Sequence, residues 1–341
     1  MVAPWPGYQK QGSVLVSKTD VRISSANGAE CESLGQRPRL AGVKSRSAEG
    51  ATCVTDILMN RRSFLHRAFC GAVVSLGTAR FGLRGASSAR RRLSKIGLQL
   101  YTVRKELEKD FAGTLEKVAA LGFLEVEFAG YFKHTPQEVK TILARHQLSA
   151  PSAHISTAAL RGNLQEAIEA AQAIGHQYLV CGYLPAEERR SLDAYKKLVD
   201  LLNGAGERLN KVGIQFGYHN HDFEFVPMEG RLPYDMILAG TDPQMVKMEM
   251  DLYWVTKAGQ DPLKYFSAYP GRFPLVHVKD MDGTPRHFFT EVGQGMIDFK
   301  KIFAAGQKAG VKHYFVEQDE TPASPFSSIK LSMDYLKRLE F

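Results

Sequence analysis

From Lys95 onward, short apolar runs alternate with longer segments whose apolar residues recur every three or four positions. The short runs suit strands and the longer ones amphipathic helices. Ile96–Tyr101 reads as the first strand. Phe111–Leu121 reads as a helix with Phe111, Leu115, Val118 and Ala119 on one face. Strands follow at Leu124–Phe128, Ser149–Ile155 and Tyr178–Cys181. Between them, one helix starts near Pro136, well suited to a first turn, and another runs Asn163–Ile174. After the fourth strand, a long helix carries Leu198, Leu201, Leu202, Ala205 and Leu209 as one stripe. Ile214–His219 is strand five, followed by a small excursion at Phe223–Val226 and a helix near Pro233–Leu238. Val246–Asp251 and Pro274–Val278 make strands six and seven, with a helix near Pro262–Ala268 between them. A long loop then leads to Asp298, an expected N-cap for a helix carrying Phe299, Ile302 and Phe303. Tyr314–Gln318 is strand eight, and a last helix covers Ser327–Leu339.

Strands alternating with helices predict an α/β domain with a parallel sheet. Eight such units in about 250 residues fit a single closed (β/α)8 TIM barrel over 95–341. A doubly wound open sheet would carry a glycine-rich turn after its first strand, and none follows Tyr101.

The segment before the barrel changes the reading of the charge. The 341-residue chain has a formal charge of +8, from 44 Lys+Arg and 36 Asp+Glu. Residues 1–89 hold 12 Lys+Arg and 5 Asp+Glu, so +7 sits there and +1 on the rest. A near-neutral body argues against a general electrostatic nucleic-acid binder. No apolar run of about 18 residues is present, so no transmembrane helix is expected. Residues 1–58 lack periodicity, are rich in Ser, Gly, Ala and Arg, and read as disordered. Residues 59–89 read as a signal peptide. Met59-Asn60-Arg61-Arg62-Ser63-Phe64-Leu65 resembles the twin-arginine export signal, with an apolar stretch to Ala79 and small residues at Gly85–Ala89. The resemblance implies a periplasmic or otherwise exported protein, cytoplasmic if the signal is not functional. It also implies that Met59 is the true start and that 1–58 stems from a mis-assigned upstream one. Of Cys31, Cys53, Cys70 and Cys181, only the last lies beyond the signal, which leaves no intramolecular disulfide in a mature chain.

In a TIM barrel, active-site residues sit at the C-terminal strand ends. Strand two ends at Glu127 and strand three at His154. Strand five ends in His219-Asn220-His221, strand six at Asp251, strand seven at His277 with Lys279 and Asp280 beyond, and strand eight at Glu317. Each alone reads equally well as a core histidine or a helix cap. Jointly, four consecutive strands ending in mixed nitrogen and oxygen donors suit one divalent ion: Mn2+ first, then Zn2+, Co2+ or Mg2+.

The body is similar to the xylose-isomerase-like barrels called sugar phosphate isomerase/epimerase, which include inosose dehydratase and ketose 3-epimerases. The resemblance rests on Ile96–Tyr101, Tyr218-His219-Asn220-His221-Asp222-Phe223-Glu224-Phe225, Met250–Val255, His277-Val278-Lys279-Asp280, and Val292-Gly293-Gln294-Gly295 with Asp298. It implies metal ligands at the ends of strands five to eight, commonly Glu, Asp, His and Glu. Asp251, His277 and Glu317 match the last three, and His219 stands where the family has glutamate. Whether His219, His221 or neither binds the ion stays open at this point.

Family epimerases use two metal-bound carboxylates on opposite faces of the sugar, with the metal as Lewis acid toward an enediolate. The expected activity is sugar isomerase/epimerase-type proton abstraction beside a carbonyl, with Glu317 as base. The missing carboxylate on strand five favours the alternative of one-base elimination: dehydration, or cleavage of a 3-keto-glycoside. Glu127, His154 or Lys279 would have to supply a second group for isomerisation. Lys279 and His154 are further catalytic candidates; Glu127, His221, Trp254 and Gln99 are candidates for binding the substrate, a free sugar, keto-sugar or cyclitol. Gly293-Gln294-Gly295 could seat a phosphate, although a tight turn explains it as well. Tyr253 and Trp254, just past strand six, could stack on a sugar ring or simply pack a loop. Homo-oligomerisation is left open; neither nucleic acid nor stable membrane association is expected. A superfamily apurinic endonuclease would need a larger His- and Glu-rich zinc site. A non-catalytic sugar-binding barrel would have little need of Asp251, His277 and Glu317 together.

Overall fold

The computed structural model describes residues 90–341; the leader and the twin-arginine signal lie outside the described residues. Eight parallel strands close a barrel: β1 (Gly97–Gln99), β2 (Glu125–Phe128), β3 (Ser149–Ile155), β4 (Tyr178–Cys181), β5 (Gln215–His219), β6 (Val246–Asp251), β7 (Leu275–Val278) and, last around the ring, β10 (His313–Val316). β1 pairs with both β2 and β10, which closes the circle. The strands are buried almost throughout, because helices cover one face and barrel-filling side chains the other. The expected single-domain (β/α)8 barrel is therefore the observed fold.

Several local features depart from the sequence reading. The expected first strand, Ile96–Tyr101, stops at Gln99, and Leu100–Val103 form a 3-10 turn. The Gln99 side chain accepts from the Tyr101 backbone N–H at 3.0 Å and turns the chain there. The eighth barrel strand starts at His313 and ends at Val316, which leaves Glu317 just beyond it. Tyr253 and Trp254 do not sit in a loop: Asp251 caps a short helix, Leu252–Lys257, directly after β6. The long segment after β7 contains a two-stranded ribbon, β8 (Asp280–Met281) with β9 (Phe289–Thr290). Asp298 does cap its helix, accepting from Lys301 N at 3.0 Å. No helix among the described residues is long and apolar enough to cross a membrane.

Inside the barrel, Tyr178, Val180, Leu275 and Phe315 form a small apolar cluster of their own. It plugs the barrel below the polar residues and keeps the mouth a cleft rather than a pore.

Candidate active site

Two layers of polar side chains stand above that plug. The upper layer is built on Asp251, His277, Lys279 and Glu317. Asp251 Oδ1 accepts from the backbone N–H groups of Tyr253 and Trp254, both at 2.9 Å, which fixes the carboxylate at the strand end. Asn220 Oδ1 accepts from the Asp251 N–H at 3.1 Å and ties β5 to β6. Lys279 is buried, and its Nζ lies 3.0 Å from Asp251 Oδ2, 2.7 Å from Glu317 Oε2 and 2.7 Å from Asp319 Oδ1. Burial works against its charge, but Asp251, Asp319 and Glu317 hold the Lys279 pKa well above its usual value. Burial likewise raises the Glu317 carboxyl, yet Lys279 and His277 overcome it and keep that group ionised.

His277 Nδ1 lies 2.9 Å from Glu317 Oε2 and 3.9 Å from Asp251 Oδ2. His219 Nε2 lies 3.8 Å from Asp251 Oδ2. One donor atom each from Asp251, His277 and Glu317 falls within 4.8 Å of the others. Mixed imidazole and carboxylate donors at this spacing fit one divalent cation.

The lower layer is buried apart from His154, which is partly exposed. Glu127 Oε1 lies 2.7 Å from His277 Nε2 and 3.2 Å from His154 Nε2, and accepts from Gln99 Nε2 at 2.7 Å. Glu249 Oε2 lies 2.7 Å from His154 Nε2 and 3.1 Å from His219 Nδ1. Burial opposes a charge on His154, but Glu127 and Glu249 raise its pKa to about 10. Burial, then repulsion by Glu127, pushes Glu249 up to about 7. Burial and the neighbouring ring of His277 push His219 well below its usual value, so that ring is neutral.

The expected residues thus separate. Asp251, His277, Glu317 and Lys279 meet at the mouth, with His219 beside them. Glu127, His154 and Gln99 lie beneath, bonded to one another and to His277. Glu249 and Asp319 were not foreseen. Glu249 stands mid-strand between Met248 and Met250, where a search of strand ends passes over it. Its signal was a second acid two residues before Asp251, on the same side of the strand.

The sequence profile of the xylose isomerase-like TIM barrels matches residues 115–339. The chain belongs to that family. Inosose dehydratase of Lacticaseibacillus casei is 27% identical over 273 residues, covering 67% of this chain and 89% of the relative. Two sugar phosphate isomerase/epimerase structures from Parabacteroides distasonis are also similar. One is 26% identical with a TM-score of 0.64, covering 74% of this chain and 98% of the other. The second is 29% identical with a TM-score of 0.63, covering 72% and 98%. Such relatives make the protein an enzyme of the isomerase or dehydratase kind.

In this xylose isomerase-like barrel one flank of the mouth is aromatic. The His221 ring stacks on Phe223, with centroids 5.2 Å apart, and stands 5.6 Å from Trp254. Buried His221 Nδ1 and Trp254 Nε1 have no hydrogen-bond partner in the protein. Both candidates for substrate contact therefore keep an unpaired polar atom.

The glycine loop proves to be a structural turn. Asp280 fills its cradle, accepting from the backbone N–H groups of Met281, Gly293, Gly295 and Ile297 at 2.8, 2.9, 3.1 and 3.2 Å. A Cβ at Gly295 would collide with the Asp280 carboxylate and the Met281 carbonyl. A carboxylate already takes the donors that a phosphate would need.

Proposed function

We propose that this enzyme removes the proton beside the carbonyl of a free keto-sugar or cyclitol and expels a β-hydroxyl as water. The observation that carries this reading is that β5 brings no carboxylate to the mouth. β5 ends in His219 rather than a carboxylate, and Glu127 and His154 are engaged in the buried layer. Glu317 is then left without a carboxylate partner from β5 on the opposite face of a substrate. A similar protein named inosose dehydratase supports elimination. The filled glycine cradle favours an unphosphorylated substrate.

Asp251, His277 and Glu317, with His219, would hold the divalent ion, Mn2+, Zn2+, Co2+ or Mg2+. That ion would polarise the carbonyl oxygen as a Lewis acid. Glu317, kept ionised by Lys279 and His277 after burial is overcome, takes the α-proton. The same carboxyl then protonates the departing β-hydroxyl, so water leaves and Glu317 returns to its starting state. Lys279 holds Glu317 in place, and Trp254 and His221 orient the ring and its hydroxyls. The twin-arginine pattern supports a periplasmic location for this chemistry.

The test is incubation of the metal-loaded chain with an inosose and with free ketohexoses. Mass spectrometry should show a product one water lighter, and Glu317→Gln should abolish both this loss and deuterium uptake at the α-carbon. Epimerised ketose without water loss would instead establish two-base isomerisation.

A further inference from the structure

His277 and His219 each turn one ring nitrogen toward the mouth and the other toward a buried carboxylate. On His277, Nδ1 faces Glu317 and Asp251 at 2.9 and 3.9 Å, while Nε2 lies 2.7 Å from Glu127 Oε1. On His219, Nε2 faces Asp251 Oδ2 at 3.8 Å, while Nδ1 lies 3.1 Å from Glu249 Oε2. A metal-binding imidazole is set in tautomer and rotation by the acceptor of its second N–H. Glu127 and Glu249 are fully buried, with their histidine partners between them and the mouth. His154 Nε2 bridges them, at 3.2 Å from Glu127 and 2.7 Å from Glu249. Gln99 anchors the same Glu127 oxygen from β1 and bonds its own backbone turn through Oε1.

We infer that Glu127 and Glu249, cross-linked by His154, form a positioning layer that commits His277 to metal through Nδ1 and His219 through Nε2. This rests on the metal-assisted reading but makes a separate claim: which nitrogen of each ring binds, and what holds it there. It also gives His219 a reason to replace a carboxylate. A glutamate at that position would offer Glu249 no ring N–H to accept from. The rival is that His154, His219, Glu249 and His277, whose donor atoms also lie within 4.8 Å of one another, hold the ion themselves. An ion there would share His277 with the upper set but would lack the strand-end carboxylates Asp251 and Glu317.

The test uses the full chain stripped of metal and titrated with Mn2+ by calorimetry. Wild type should bind one ion. Glu127→Gln and Glu249→Gln should still bind one, about 10–100-fold more weakly, and the visible spectrum of the Co2+ form should shift. Independently of any variant, 15N spectra of the Zn2+ form of the wild type should show metal-shifted Nδ1 on His277 and Nε2 on His219. Unchanged affinity in both variants, or the opposite nitrogens on zinc, overturns the positioning layer alone. So does loss of the ion in Glu249→Gln with its retention in Asp251→Asn. A wild type that binds no metal overturns the metal-assisted reading as well.

Discussion

Glu125 and Glu127 stand two residues apart on β2, both buried, and their surroundings differ. Glu125, at the barrel floor, has both oxygens engaged: Oε2 lies 2.8 Å from His313 Nδ1 and Oε1 accepts from Lys95 Nζ at 3.4 Å. Glu127, above the plug of Tyr178, Val180, Leu275 and Phe315, has one oxygen committed to two histidines and a glutamine. Its Oε2 has no hydrogen-bond partner. Glu249 Oε1 is in the same condition. A buried polar atom left unpaired costs about 1–3 kcal/mol, and such costs collect where a protein does chemistry. The floor is closed, whereas the layers above the plug are incompletely satisfied, as the proposed reaction there would lead one to expect. That division matches the general asymmetry of TIM barrels.

The comparison breaks most visibly if the mouth is disarmed. Asp251→Asn and His277→Ala should reduce bound metal from one ion per chain to none and bring turnover to background. A floor variant such as Glu125→Gln should keep its ion. Elemental analysis of the purified proteins decides it. Metal retained in His277→Ala would mean that the upper layer is not the ligand set.

Much of this division was legible in the chain itself. Ser149–Ile155, Tyr178–Cys181, Val246–Asp251 and Pro262–Ala268 have the bounds that the apolar pattern gives: the three strands are largely buried, and the helix buries the one face its apolar residues define. The strand-end rule found Asp251, His277, Lys279 and Glu317. It could not show depth. Glu127 and His154 look like mouth residues in sequence, but their partners come from β6 and β7, about 95 and 150 residues away. The turn at Leu100 and the helix at Leu252 were missed for a related reason. Each is set by a side chain, Gln99 or Asp251, bonding to backbone just ahead of it. Apolar periodicity does not register such caps.

On the stability side, Phe315→Ala should cost about 3–5 kcal/mol, since it empties the plug. Denaturant unfolding would measure it, and a loss below about 1 kcal/mol would show that the plug carries little stability. Gly97→Ala comes next, at about 1–3 kcal/mol. A Cβ on Gly97 would run into the Phe315 ring. Phe315→Leu in the Gly97→Ala background should recover part of that loss, because the two sites share one space. Strict additivity of the two changes would refute the clash.

An effect no larger than that of Gly97→Ala should come from Glu125→Gln, and its pH dependence sharpens the contrast with Glu127. Burial raises the Glu125 carboxyl, but His313 and Lys95 outweigh it, and the folded-state pKa falls below the usual value of 4.5. A group depressed on folding stabilises the protein fully above its unfolded pKa, and that stabilisation fades as pH falls toward the folded one. Glu125→Gln should therefore cost about 1–3 kcal/mol at pH 7. The gap from wild type should narrow as the pH drops below about 4.5. Urea unfolding of both proteins across that range tests the sign. A gap that widens in acid would mean that Glu125 is held protonated, and the floor would then not be the closed, ionised arrangement that distinguishes it from the mouth.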